Sequence, residues 1–153
     1  MKLKFLIRVF FVLLLTLLIM QCSGSKKAIN ISQEEENVFN QNTIDTVTIE
    51  NDSLEYEIII MEVGFATWLQ SMARPKGYYT QAFMENRNRI YVINWNQRVL
   101  DPYKYDPNLY ELRINYDPNV DYGYDVNYEL YNYFIYFQRK YKQRLGPFAP
   151  RIN

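Results

Sequence analysis

The stretch "YDVNYELYNYFIYFQRKYKQRL", residues 124–145, constrains the fold more than any other part of the chain. Val126, Leu130, Tyr133, Phe134, Phe137 and Tyr141 recur at helical spacing, with Tyr124, Tyr128 and Tyr131 beside them. Arg139, Lys140, Lys142 and Arg144 fill the closing turns, where cations oppose the helix dipole. The pattern predicts a helix from about residue 125 to 145, stopped by Gly146-Pro147. An apolar stripe of that width has to be covered by other elements.

Those elements are legible upstream. "EYEIIIME" (residues 55–62) is an apolar, β-branched run of strand length, and its continuity predicts a strand covered on both faces. Gly64 ends it, and Phe65, Trp68, Leu69 and Met72 then follow a short amphipathic helix, stopped by "RPKG". A second helix is expected from about residue 79 to 100, with Met84, Tyr91, Trp95 and Val99 as its stripe, widened by Phe83, Ile90 and Val92. Asp101-Pro102 closes it, because the residue before a proline is driven out of the helical region. Val47 and Ile49 alternate with Thr46, Thr48 and Glu50 as in a short edge strand.

Tyr-Asp-Pro-Asn occurs twice, at residues 105–108 and 116–119. Asp first and Pro second is type I turn chemistry. Between the units Tyr110, Leu112, Ile114 and Tyr116 share one parity, and Leu109, Glu111, Arg113 and Asn115 the other. Period two predicts a half-buried strand framed by two turns. The sum is an α+β domain over residues 54–153, a small antiparallel sheet with about three packed helices.

A different kind of segment precedes that domain. "MKLKFLIR" carries Lys2, Lys4 and Arg8 without an acid, and the apolar run "VFFVLLLTLLI" leads to Cys22, the only cysteine. A basic start and a short apolar core match a secretory leader over residues 1–21 and are marginal for spanning a bilayer. Leu18, Ile19 and Cys22 resemble the lipobox of a bacterial lipoprotein, although Gln21 stands where a small residue is usual. The alternative is an uncleaved N-terminal anchor, and both place the rest of the chain outside the cytoplasm. Polar residues 22–53, including Glu34, Glu35 and Glu36, read as a lipid-anchored, flexible tether of roughly 30 Å r.m.s. reach.

The composition narrows the chemistry. Loss of residues 1–21 removes three of seventeen basic residues and no acid, leaving 14 against 17 and a net charge of −3. A mildly acidic chain lacks the basic footprint that nucleic acids demand. There is no histidine, and with Cys22 acylated there is no free thiol and no disulfide. Catalysis would have to rest on carboxylates, Tyr, Lys or a hydroxyl, and no spacing singles out a pair of acids.

Two constellations bear on binding. Asp117, Asn119, Asp121 and Asp125 alternate as in a calcium loop, but the sixth and twelfth positions are Tyr122 and Tyr128 where glycine and a bidentate acid belong. On the second helix Arg87, Tyr91, Asn94 and Arg98 share a face, with Trp95 adjacent. That face could grip a glycan or an anion; it could also pair with the Asp-Pro-Asn loops, and we favour the structural use. Fifteen tyrosines suit cores, protein interfaces and sugar stacking alike.

The blocks "GFATWLQ", "NRIYVINWNQRV" and "YDPNLYELRINYDPNVDYGYDVNYELYNYFIYF", with the lipobox-like leader, resemble an uncharacterised family of small lipoproteins of Bacteroidota. The resemblance covers about residues 54–145 and is most specific over residues 122–134. It implies a domain of unknown function tethered to the cell envelope, with no activity, cofactor or metal to carry over. The absence of acids in residues 23–27 suggests the periplasmic side, the outer membrane ahead of the inner. The expectation is therefore a lipoprotein, palmitoylated at Cys22, that acts without catalysis through contacts with another envelope protein. The alternative is a module for peptidoglycan or polysaccharide fragments built on Arg87, Tyr91, Asn94, Trp95 and Arg98.

Overall fold

The structure, a computed structural model, describes residues 28–41, 44–51 and 56–152. It is mostly helical. In chain order come α1 (Gln33–Phe39), β1 (Ile44–Asn51), β2 (Tyr56–Val63), α2 (Phe65–Ser71), α3 (Gln81–Val99) and α4 (Gly123–Lys140). The expected small sheet reduces, among the described residues, to β1 and β2 paired with each other, antiparallel, with Val47 opposite Ile60 and Ile49 opposite Ile58. The leader and Cys22 lie outside the described residues, and no helix among those described is long and apolar enough to cross a membrane.

Helix α4 is the centre of the molecule. Its sequence reads as one stripe, yet its buried residues run round the whole cylinder, from Val126 and Leu130 to Ile135, Tyr136 and Phe137. Asn127, Asn132 and Gln138 are buried with them, each amide donating to the carbonyl four residues back, at 2.8, 2.8 and 3.0 Å. That local bonding lets a polar side chain enter the core without an orphaned donor. α3 packs along one side of α4, and β1 and α2 on others.

The helix stops earlier than expected. Lys142 takes φ +52°. Gln143 N–H then donates to the Gln138 carbonyl at 2.9 Å and Lys142 N–H to Arg139 at 3.4 Å, the two bonds of a Schellman turn. Gly146-Pro147 belongs to the tail beyond it.

α3 lies within the range expected for it. Thr80 caps it by accepting from Phe83 N–H at 3.3 Å, and Met84, Asn88, Tyr91, Val92 and Trp95 face inward. Between β2 and α2, Gly64 has φ +80°, and a Cβ there would lie 2.6 Å from the Val38 carbonyl oxygen of α1. Only glycine fits that crossing.

No strand forms over residues 109–116. The turns that were to frame it do form: Asp106 Oδ1 accepts from Asn108 N–H at 2.9 Å, and Asp117 Oδ1 from Asn119 N–H at 2.9 Å. Their carbonyls accept from Leu109 and Val120 at 3.1 and 3.2 Å. The chain between them is a strap along α3. Asn96 accepts from Ile114 N–H at 2.8 Å and donates to its carbonyl at 2.9 Å, so one side-chain amide substitutes for a neighbouring strand. Period-two burial survives at Tyr110, Ile114 and Tyr116, whereas Leu112 points to solvent.

The expected tether is corrected most. Part of it is α1, capped by Ser32, whose hydroxyl accepts from Glu35 N–H at 3.2 Å. Glu35, expected as solvated linker, is wholly buried and faces Arg139 of α4. Its Oε1 accepts from Arg139 Nε at 2.6 Å and Trp68 Nε1 at 2.9 Å, and its Oε2 from the same guanidinium at 2.5 Å. Arg139 also donates to the carbonyls of Asn30 and Pro150 at 2.8 and 2.9 Å. One arginine therefore ties both ends of the described chain to the central helix.

Candidate functional site

The five residues nominated for a ligand do not converge. Arg98 is spent inside the structure: its guanidinium donates to the Tyr110 hydroxyl, to Gln143 Oε1 at 3.3 Å and to the Arg144 carbonyl. Its carbon sits 4.9 Å from the Tyr105 ring centroid. The structural use of this arginine is realised, with phenols and carbonyls as its partners in place of the Asp-Pro-Asn carboxylates. Trp95 is buried and donates to the Leu112 carbonyl at 2.9 Å. Asn94 donates back to Ile90 at 2.9 Å.

Arg87 and Tyr91 remain, and they line a cleft of about 420 Å³. Its walls come from the residues before and along α3 (Tyr79, Phe83), from α4 (Tyr131) and from the tail (Pro147, Phe148, Ala149, Arg151). Tyr79 stacks on Phe83 with centroids 4.9 Å apart and planes 11° apart. The Arg87 guanidinium lies 3.2 Å from the Phe148 centroid and 5.0 Å from that of Phe83, and it pairs with no carboxylate among the described residues. A cation held between rings keeps its hydrogen-bonding edge for something else. Burial pushes the Tyr91 phenol up, offset by a hydrogen bond with Gln138 and by the Arg87 charge. Burial also raises Tyr131, helped by Tyr79 and Tyr91. These phenols are therefore neutral hydrogen-bonding groups at physiological pH, with no carboxylate acting on them among the described residues.

A second cleft, about 590 Å³, shares Ala149 and Arg151 of the tail with the first. Residues 28–32, Met72, Arg74 and Arg139 complete it, and Glu34 is its one acid. Neither cleft brings two carboxylates together. The carboxylates of the calcium-like spacing also take separate partners. Asp117 serves its own turn, Asp121 accepts from Gly123 N–H at 2.9 Å and Gln81 at 2.7 Å, and Asp125 pairs with Lys76 at 2.6 Å.

Gly146-Pro147 reads only as the stop of a helix and assigns the tail beyond it no role, although "PFAPRI" offers an aromatic, two apolar residues and an arginine. Glu35 was missed although Ser32-x-x-Glu35 is the capping-box signature of a helix start. The tyrosines divide clearly: six are buried, six half-buried, and only Tyr78 and Tyr103 are exposed among those described. The excess is chiefly packing.

No curated protein and no solved structure matches the chain. A family model does match, over residues 10–149, and its description is a family of unknown function (DUF6146). The chain belongs to that family.

Proposed function

We propose that this protein is an envelope-anchored, non-catalytic binding module that holds a glycan or anionic ligand in the cleft between α3 and the tail. The observation that carries this reading is Arg87, without a carboxylate partner and set between Phe83 and Phe148 in a cleft walled by Tyr79, Tyr91 and Tyr131. Flat rings accept the apolar face of a sugar, while phenols and a guanidinium bind its hydroxyl and carboxylate oxygens.

Lipidation at Cys22 and a periplasmic position belong to the same proposal, supported by the basic and apolar leader. The folded α1 changes what the anchor implies. Six residue steps separate Cys22 from Ala28, so the body would stand within about 20 Å of its anchor point. A fatty-acid label on wild type and none on Cys22→Ser checks the anchor.

Calorimetric titration with muropeptides tests the ligand. Binding that falls at least tenfold in Arg87→Ala supports the cleft; absence of binding, or equal binding by the variant, overturns it. A protein partner is a second reading, favoured by Ile93, Leu100, Tyr103 and Leu112, which are exposed on α3 and the strap. Crosslinking in native envelopes that captures nothing through this surface removes that reading.

A further inference from the structure

The larger cleft has a chemistry of its own. Arg139, one of its lining residues, is already engaged at all three nitrogens by Glu35 and two carbonyls. Arg74 is not. Its carbonyl accepts from the Tyr128 hydroxyl at 2.8 Å, which fixes the backbone, and its guanidinium lies 4.9 Å from the Tyr78 centroid. Its Nε is buried and has no hydrogen-bond partner among the described residues. No hydrogen bond or ion pair among the described residues engages the rest of the guanidinium either, so its outer N–H groups are left for an anion. Arg151 lines the same cleft from the tail, exposed and without an ion pair among the described residues. The remaining walls include Ile29, Met72, Pro150 and Ile152.

We infer that this cleft is a separate binding site for a phosphate ester, held by Arg74 and Arg151, with the apolar walls receiving the group the phosphate carries. Guanidinium forks match phosphate oxygens in pairs. A phosphate joined to glycerol and acyl carbons uses both the arginines and the apolar walls, so an anionic phospholipid fits better than inorganic phosphate. The cleft includes Ala28, where the described chain begins. If the anchor proposed above is present, this places the cleft within about 20 Å of the anchor point. The phosphate site itself does not depend on that anchor or on Arg87, although Arg151 also lines the Arg87 cleft.

The test uses the full chain in non-ionic detergent, titrated with inorganic phosphate, dihexanoyl phosphatidylglycerol and uncharged dihexanoylglycerol. The expected result is saturable binding of both phosphates, at least tenfold tighter for the lipid, and none of the uncharged compound. Arg151→Gln, at an exposed position, and Arg74→Gln each weaken binding at least tenfold, while Arg87→Ala leaves it unchanged. Equal affinity for the two phosphates would show that the apolar walls contribute nothing and overturn the assignment to an ester. No saturable binding of either phosphate overturns the inference, as does binding that survives in Arg151→Gln or in Arg74→Gln.

Discussion

Single side chains decide the most here, and two of them carry opposite lessons. Asp106 and Asp117 do what their local sequence states, because an Asx turn needs only Asp, Pro and the next two residues. Glu35 could not be read so. Its environment is made by Trp68 and Arg139, the latter more than a hundred positions away, and "EEE" alone reads as solvated charge. A carboxylate with all its near neighbours satisfied is held firmly, whereas one partner left alone in the interior is costly. Glu35→Ala should cost about 3–5 kcal/mol by that reasoning. Glu34→Ala, on the exposed side of the same turn, should stay within about 0.5 kcal/mol. Urea denaturation of the two variants makes the comparison, and equal midpoints would contradict the buried pair. Arg87 and Arg98 teach the same point in functional terms. They share a helix face in sequence, but Arg98 is consumed by Tyr110 and the Arg144 carbonyl while Arg87 is held among rings.

At the scale of elements, α2, α3 and α4 were legible and α1 was not, because the signals of the three are local: for α3, Thr80 at a cap, Asp101-Pro102 at a break, and apolar spacing between. The strap was misread because alternation reports which side is buried and says nothing about what satisfies the backbone. Asn96 supplies that bond from a helix. The crossing of β2 into α2 over α1 offers a sharper test. Gly77 also has a positive φ, +90°, but nothing lies within 4 Å of a Cβ built there. Gly77→Ala should therefore cost only the left-handed conformation, about 1–2 kcal/mol. Gly64→Ala adds the clash with the Val38 carbonyl, raising the loss by about 1–3 kcal/mol. Thermal melts that rank the two in reverse would show that α1 does not sit against this turn.

At the scale of the molecule, the tyrosines set the alkaline limit of stability. Burial first, with neighbouring phenols and acids adding at several positions, raises Tyr116, Tyr131, Tyr133 and Tyr141, and pushes Tyr116 to about 12. A phenol whose folded value exceeds its unfolded one near 10 gives stability that is complete below pH 10. That stability is lost as pH rises through the folded value. Tyrosinate absorbance should therefore grow together with loss of helical circular dichroism above about pH 10. Full ionisation with an intact helical signal would contradict the packing of these rings. The tail that walls both clefts is held at Pro150, whose carbonyl accepts from Arg139.

The functional claim concentrates on one of those clefts. The most direct measurement is a map of amide chemical-shift changes in the isotope-labelled protein as a muropeptide is added. The account predicts saturable shifts clustered at Tyr79, Phe83, Arg87, Tyr131 and Phe148, which are lost in Arg87→Ala. Shifts confined to Ile93, Leu100 and Leu112, or no shifts at all, would contradict it.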